Sequence, residues 1–331
     1  MDSRRLLVIV TFFMILTVDS QPQNIESYQK HFAVCKSIAT QQLYIAIRKF
    51  SYNGQIKYLV INPNDLSTYI FKDDQIIVKD DSRDEILNRF NKTPYVKALH
   101  EAYDNANVIQ DAGITHFSSF EEGANLTIDL CPSFRPLDRE LFLNLFDDFG
   151  KEEKPVPVAI SVTGIWMNKH ENDLGWLKDL INKKEISVIW INHSYNHKTS
   201  KVLPLKENFL LEKGTDLNFE VLRTEIKMIE EGIIPSAFFR FPGLVSDKEI
   251  FKRIIEFGLI PIGSDAWLAK GQRPKDGSII LLHGNGNEPV GIERFFKLLR
   301  EEKNNIRKNR WLLYDLRESV ENFEDTLKIN N

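Results

Sequence analysis

The stretch ANLTIDLCP, residues 124–132, is the part of the sequence from which the fold can be predicted. It is an apolar run of strand length without clean polar alternation, and it ends in Asp129, Leu130, Cys131 and Pro132. Similar apolar runs follow it, separated by helix-like segments of roughly ten to fifteen residues. Runs of this kind are typical of parallel strands that are buried on both faces. We therefore expect an α/β fold.

The predicted strands and helices alternate from residue 124 onward. The strands are predicted at 124–130, 156–162, 186–191, 237–241, 259–262 and 278–282. The helices between them are predicted at 137–149, 173–181, 217–230 and 247–257. Open sheets and barrels place their chemistry at the carboxyl ends of parallel strands. The residues that follow each predicted strand are therefore the candidates for a functional site.

Ionisable side chains follow several of these strands. They are Asp129, His193, His197, Arg240, Asp265 and His283. His193 and His197 are four residues apart, so one helical turn would bring both imidazoles to the same side, ready for a divalent cation. Two partly exposed histidines at the start of a helix are the alternative. The position after a buried strand, in the company of Asp129, Arg240 and His283, favours a metal site.

In their order along the chain, these motifs resemble the polysaccharide deacetylases with a NodB-type domain, carbohydrate esterase family 4. The family's motifs T-F-D-D-G-P, H-S/T-x-x-H, R-x-P-x-G, Asp/Trp and L-x-H correspond to residues 127–132, 193–197, 240–244, 265–267 and 281–283. The run PVAISVTG at 157–164 is similar to the family's P-A-T-F-F-V-x-G strand. The resemblance covers roughly residues 124–300 and implies a distorted (β/α) barrel.

The resemblance also implies a role for each matching residue. His193 and His197 would hold a divalent cation, by analogy zinc, that polarises the acetyl carbonyl and activates a water. Asp129 would be the general base, oriented by Arg240, and His283 would be the general acid. The backbone N–H of Gly243 would be an oxyanion donor, and Trp267 and Leu281 would line an apolar acetyl pocket. The substrate-binding residues implied in this way are Gly243, Asp265, Trp267 and Leu281.

One residue departs from the family's pattern at the metal site. Leu130 stands where the family has a second Asp, the third protein ligand of its metal, and a leucine cannot coordinate a cation. Asp129 could ligate instead, Cys131 could supply a thiolate, water could fill the gap in a weak site, or no metal binds. A disulfide between Cys131 and Cys35 would exclude the thiolate. A disulfide and two buried free thiols are equal alternatives from the sequence.

The first twenty residues are predicted to be a secretory signal peptide. Arg4 and Arg5 precede the apolar run 6–17, and small residues follow at a plausible cleavage site. An uncleaved N-terminal anchor is the alternative, and no later stretch has transmembrane length. The mature chain would begin near Gln21 and be exported, either to a periplasm or to the medium.

The composition is that of a folded soluble protein. The 331 residues include 43 Lys+Arg and 47 Asp+Glu, with a formal net charge of -4, 42% hydrophobic and 27% charged residues. These values exclude a disordered, collagen-like or coiled-coil chain, and the near-neutral charge predicts no nucleic-acid partner. The 2 cysteines cannot build a four-cysteine zinc module, so a metal site would draw mainly on the 7 histidines and on carboxylates.

Four regions are predicted along the chain: a signal peptide over 1–20, an N-terminal α+β region without assigned role over 21–120, a deacetylase-like catalytic domain over 121–305 and a C-terminal helical tail over 306–331. Within the N-terminal region, short strands are predicted at 57–61 and 67–71 and helices at 84–90 and 94–106.

The leading functional hypothesis is an exported metal-dependent hydrolase that removes N- or O-linked acetyl groups from a cell-wall or surface polysaccharide. Two alternatives stay open. Leu130 favours a catalytically silent deacetylase fold that binds a glycan or a partner protein. The retained set disfavours it: Asp129, Arg240, His193, His197 and His283. A hydrolase of a non-sugar amide is the third hypothesis. The sugar, the linkage and the oligomeric state are left open by the sequence.

Overall fold

A computed structural model describes residues 24–117 and 122–321 of the chain. The predicted signal peptide at residues 1–20 and the last ten residues of the predicted tail lie outside the described residues. Within the described ranges, no helix is both long enough and apolar enough to cross a membrane.

The first part of the chain folds into an antiparallel sheet followed by two helices. Its strands are β1 (Ile25–Ser37), β2 (Leu43–Tyr52), β3 (Gln55–Ile61), β4 (Thr68–Lys72) and β5 (Ile76–Asp80), in the spatial order β4-β3-β2-β1-β5. The helices are α1 (Arg83–Arg89) and α2 (Pro94–Asp104). A reciprocal pair of hydrogen bonds between Ser82 and Glu85, a capping box, fixes the start of α1.

The second part of the chain is a curled parallel sheet surrounded by helices. Its strands are β6 (Gly123–Leu130), β7 (Val156–Val162), β8 (Ile186–Asn192), β9 (Phe238–Phe239), β10 (Ile260–Pro261), β11 (Ala266–Trp267), β12 (Ser278–His283) and β13 (Leu312–Leu313). The order is β10-β9-β8-β7-β6-β12-β11, with β13 also paired to β6. The helices are α3 (Arg139–Phe149), α4 (Gly164–Lys169), α5 (Glu171–Asn182), α6 (Thr224–Glu230), α7 (Lys248–Ile255), α8 (Pro289–Ile306) and α9 (Leu316–Glu321).

This architecture confirms the predicted α/β class, a distorted (β/α) barrel with an N-terminal α+β region. The segment that links the two parts of the chain contacts both β10 and the start of β12. In that segment, Ile114 pairs in parallel with Ile262, next to β10, and His116 pairs with Ser278, the first residue of β12. The linker thus bridges β10 and the start of β12.

The side chains of β6 alternate between two environments. Leu126, Ile128 and Leu130 belong to the apolar core that also contains Phe142 and Trp166 of the surrounding helices. Because successive residues of a strand point to opposite faces, Thr127 and Asp129 point into the barrel. Parallel pairing of β6 with β12 sets Thr127 beside Leu281 and Asp129 beside His283. The register of two strands therefore brings a carboxylate and an imidazole together.

The N-terminal sheet docks on the barrel through a buried ion pair. The guanidinium of Arg48 in β2 contacts both carboxylate oxygens of Glu225 in α6, at 2.7 and 2.8 Å, and both side chains are fully buried. Arg48 also donates to the carbonyl of Phe257, at 2.6 Å. Tyr28 of β1 donates to the same carboxylate.

Candidate active site

A thiol and two imidazoles converge at the carboxyl edge of the parallel sheet. Cys131 directly follows β6, and its Sγ lies 3.5 Å from Nε2 of His193. One ligand atom from each of Cys131, His193 and His197 lies within 4.8 Å of the other two. Cys35 lies in β1, and both cysteines are buried free thiols. Of the two alternatives for the cysteines, the structure therefore has the free thiols, and the sulfur of Cys131 is available as a ligand.

The tautomer of His193 is determined by its neighbour. Nδ1 lies 2.9 Å from the carbonyl oxygen of Arg240, which can only accept, so Nδ1 carries the proton and Nε2 carries a lone pair. Burial lowers the pKa of His193, and the opposing effect of Asp129 does not restore the pKa to its ordinary value. His193 is thus a neutral imidazole whose free nitrogen faces Cys131, which is the form that binds a metal.

The segment from His193 to His197 is an irregular loop, so the predicted helical turn is wrong. Ser194 and His197 adopt left-handed φ angles of 67° and 46°. This conformation, rather than helical spacing, brings the two ring centroids to 4.7 Å. The buried Nε2 of His197 has no hydrogen-bond partner among the described residues, and its ring packs edge-on against Phe209.

Asp129 faces both Arg240 and His193 inside the barrel. Its carboxylate oxygens lie 3.7 Å from Nε of Arg240 and 3.6 Å from Nε2 of His193. Arg240 is fully buried and donates from Nη2 to the hydroxyl oxygen of Thr127, at 2.9 Å. Burial raises the pKa of Asp129, but the guanidinium of Arg240 opposes this effect, and the pKa lies below its usual range. Asp129 is therefore ionised, as a general base must be.

His283 is paired with an acid that the sequence motifs do not include. Its Nδ1 lies 2.9 Å from Oε2 of Glu288, the residue before α8, and the indole N–H of Trp267 donates to the same oxygen at 2.8 Å. Burial lowers the pKa of His283, but Cys131, Glu288 and Asp129 together hold the pKa well above its usual range. An imidazolium in this position can donate a proton.

Two neighbouring histidines lower the pKa of the Cys131 thiol. Burial raises its pKa, but His197 and His283 outweigh burial and lower the pKa to about 7. The carbonyl of Cys131 accepts a hydrogen bond from Nδ2 of Asn285, at 2.6 Å, which fixes the backbone at this point. A thiolate is therefore accessible near neutral pH, and thiolates are strong metal ligands.

Trp267, Leu281 and Leu244 form a small apolar cluster apart from the main cores. The rings of Trp267 and His283 lie 6.2 Å apart, so the cluster borders the candidate acid. Gly243 precedes Leu244 and has a φ of 62°, and a Cβ there would collide with the ring of Phe209. Three of the four predicted substrate-binding residues, Gly243, Trp267 and Leu281, are thus grouped around this cluster.

Asp265 is not brought to this group. Its carboxylate contacts Nδ1 of His116 at 2.8 Å, the hydroxyl of Ser278 at 3.1 Å and the backbone N–H of Ile279 at 3.0 Å. Ser278 and Ile279 begin β12, whereas His283 ends it. Asp265 therefore holds the linker at the far end of the strand.

Two acids near the site carry no recognisable sequence signal. Glu288 stands before Pro289, an ordinary helix start, and belongs to none of the matching motifs. Asp111 lies in the linker with a φ of 62°, and its N–H donates to the carbonyl of Leu244, at 2.9 Å. Burial raises the pKa of Asp111, against the opposing charges of Lys270 and Arg240. Only the folded chain shows that these acids are close to the site.

The residues present fit a divalent metal ion. One thiolate and two imidazoles are a ligand set typical of zinc, and three protein ligands leave a position for water or substrate. The neutral His193 and the buried, unpartnered Nε2 of His197 are the donors that such an ion requires. Leu130 faces the opposite side of β6 and takes no part.

A family model described as the RP012 protein N-terminal domain matches residues 26–96. In structure, the chain is similar to a family 4 carbohydrate esterase from Bacillus anthracis, with 18% identity and a TM-score of 0.46 over 67% of this chain and 90% of that chain. The chain is also similar to PdaA, a family 4 carbohydrate esterase of Bacillus subtilis, with 15% identity and a TM-score of 0.44 over 71% of this chain and 90% of that chain. A pseudoenzyme of the same family from Bacillus anthracis has 17% identity and a TM-score of 0.42 over 64% of this chain and 70% of that chain. The family of these structures is the one that the sequence motifs resemble.

Proposed function

We propose that the protein is an exported hydrolase that removes N- or O-linked acetyl groups from a polysaccharide, with a divalent metal, by preference zinc, held by Cys131, His193 and His197. The observation that carries this proposal is the convergence of those three ligand atoms within 4.8 Å, close to the Asp129–Arg240 pair and to the His283–Glu288 pair. A module that only binds glycan has no evident need for that set.

The side chains around the metal ligands supply the other elements of hydrolysis. A bound divalent cation at this position would polarise the acyl carbonyl and lower the pKa of a water molecule. Asp129, which Arg240 helps to keep ionised, accepts the proton of the attacking water. His283, protonated beside Glu288, donates a proton to the nitrogen or oxygen that leaves when the acyl bond breaks. The apolar cluster around Trp267 and Leu281 accommodates the acetyl methyl group.

Metal content and acetate release test the proposal together. The mature chain, residues 21–331, is purified and analysed for bound metals, beside the Cys131→Ser variant and a His193→Ala/His197→Ala variant. We expect near-stoichiometric zinc in the unaltered protein and a large loss in both variants. Acetate release is then measured on N-acetylglucosamine oligomers and on acetylated xylan, with and without a chelator.

The Asp129→Asn variant is the matched control, because it removes the proposed base and leaves the three metal ligands in place. It should retain the metal and lose acetate release by 100-fold or more. Protein that binds no metal even when zinc is supplied would contradict the proposed centre. Metal binding without hydrolysis of either glycan would instead favour the catalytically silent alternative, or a non-sugar amide as substrate.

Export is part of the proposal and rests on the arginine pair and apolar run of the first twenty residues. The mature N-terminus of the protein, expressed in full length and recovered from cell fractions, is the direct measurement. We expect a start near Gln21 outside the cytoplasm. Recovery of an intact N-terminus in the cytoplasm would contradict export.

A further inference from the structure

The loop that carries both candidate metal-binding histidines is held by an acid from another element. Glu220 lies in the helical segment Phe219–Arg223, a π-helical turn that precedes α6. One oxygen of its carboxylate accepts the backbone N–H groups of Tyr195, at 2.9 Å, and Asn196, at 2.8 Å. The other oxygen accepts the side-chain amide of Asn196, at 2.7 Å. All three donors lie between His193 and His197.

The hydrogen bonds to Glu220 stabilise a loop whose backbone conformation is unfavourable by itself. Ser194 and His197 have positive φ angles, a region that residues other than glycine rarely adopt because it is sterically unfavourable. Hydrogen bonds to a charged acceptor are among the stronger ones in proteins. Three such bonds to one carboxylate can hold a loop in a conformation that it would not keep alone.

The same helical segment also holds the end of β8. The side chain of Asn192 donates to the carbonyl of Val221, at 2.9 Å, and accepts the N–H of Ser194, at 3.0 Å. Glu220 is only 3% exposed, and burying a carboxylate is expensive unless its oxygens are hydrogen-bonded. The acid is therefore retained in the interior by its contacts with the loop.

We propose that Glu220 is a positioning residue for the metal centre, which sets the spacing of His193 and His197 through Tyr195 and Asn196, two of the three residues between them. This inference rests on the proposed metal site. π-helical turns occur frequently at functional sites. Partners that orient metal ligands typically change metal affinity 10- to 100-fold when they are altered.

Zinc affinity tests the role. Zn²⁺ binding to the mature chain is measured by competition with a chromophoric chelator, for the unaltered protein, Glu220→Gln and Glu230→Gln. Glu230 is the matched control, because it lies ten positions further along the same helical region and pairs with Arg223. The thermal midpoint of each metal-free protein is measured in parallel. We expect zinc affinity to fall about 10-fold or more in Glu220→Gln and to stay unchanged in Glu230→Gln.

A purely structural role would lower the thermal midpoint of the metal-free Glu220→Gln protein without changing the zinc affinity of the folded fraction, and that result would overturn the inference. Absence of zinc binding in the unaltered protein would overturn the metal site itself, and this role with it. If Glu220→Gln does not fold, Asn196→Ala removes one of the three bonds and leaves the carboxylate. It should weaken zinc binding several-fold, and unchanged affinity would contradict the inference.

Discussion

Leu130 and Cys131 are adjacent, but their side chains are in different parts of the protein. Leu130 is the last residue of β6 and packs in the core with the helices. Cys131 leaves the strand one residue later, on the side of Asp129, and its sulfur lies beside His193. Because the direction of a strand side chain alternates at each residue, the thiol and not the residue at position 130 can complete the ligand set.

The Leu130→Asp variant tests this assignment, because it introduces the acid that the family pattern has at this position. The new carboxylate would be buried among apolar side chains, so we expect the free energy of unfolding to fall by about 4 kcal/mol and zinc affinity not to rise. Urea unfolding and zinc titration measure the two quantities. Tighter zinc binding at unchanged stability would show that this side chain reaches the metal site.

Glu288→Gln tests the pairing of His283 with Glu288. Removing the negative charge lowers the pKa of His283, because Glu288 is one of the groups that raise it. His283 then loses its proton at a lower pH, so the alkaline limb of the kcat profile should move to lower pH. At pH 8 we expect kcat to fall about 10-fold or more, with metal content unchanged. A pH profile that coincides with that of the unaltered protein would exclude Glu288 from this role.

At the scale of elements, register and loop shape build the site. Parallel pairing of β6 with β12 sets Asp129 beside His283, and the loop after β8 supplies both imidazoles. At the opposite end of the sheet, β13 pairs with the start of β6. The carboxylate of Glu153, three residues before β7, accepts the N–H of Leu313 in β13, at 3.0 Å. A half-buried acid thus joins β13 to the segment before β7.

Glu153 makes the stability of this junction depend on pH. Burial, reinforced by Glu318, raises the pKa of Glu153 from 4.5 to about 7. A group whose pKa is raised on folding stabilises the fold below its unfolded pKa, and this contribution is lost as the pH rises through 7. Glu153→Gln keeps an acceptor for Leu313 and removes the titration. We expect it to gain about 3 kcal/mol relative to the unaltered protein between pH 4.5 and pH 8.

Urea unfolding of both proteins at several pH values measures that difference, because all other titrating groups are common to the pair. The two stability curves should approach each other near pH 4.5 and separate as the pH rises. Parallel curves over this range would contradict a raised pKa for Glu153.

At the scale of the whole molecule, Arg48 and Glu225 join the N-terminal sheet to the barrel. Glu225 lies in the same helical region as Glu220, five positions further along. The linker bridges β10 and the start of β12, and the charge of its residue Asp111 opposes the lowering of the pKa of Arg240 by burial. The N-terminal region is therefore packed against the elements that carry the candidate site.

A double-mutant cycle tests the importance of this ion pair. Arg48→Met leaves Glu225 buried without its cation, so we expect a loss of about 3 to 5 kcal/mol in the free energy of unfolding. Arg48→Met/Glu225→Met removes both charges and should recover most of that loss. Urea unfolding of the unaltered protein, both single variants and the double variant gives the coupling energy. Additive losses would show that the two side chains do not depend on each other.

The strands at the centre of the parallel sheet could be predicted from the sequence. The apolar runs at 124–130, 156–162 and 186–191 correspond to β6, β7 and β8 to within one residue at either end, because a strand buried on both faces must be apolar throughout. The long strands β1 and β2 were not predicted. The first half of β1 is largely exposed and polar, and antiparallel pairing with β2, not local pattern, makes it a strand.

Sequence alone determined which chemical groups follow the strands, because the order of Asp129, His193, Arg240 and His283 along the chain is a local property. Tertiary structure decided which of them meet. It placed Asp265 at the opposite end of β12 from His283, brought Glu288 to His283, and directed the sulfur of Cys131, rather than the side chain at position 130, toward His193. Each of these outcomes depends on strand register or side-chain direction, which arise only when segments far apart in the sequence pack together.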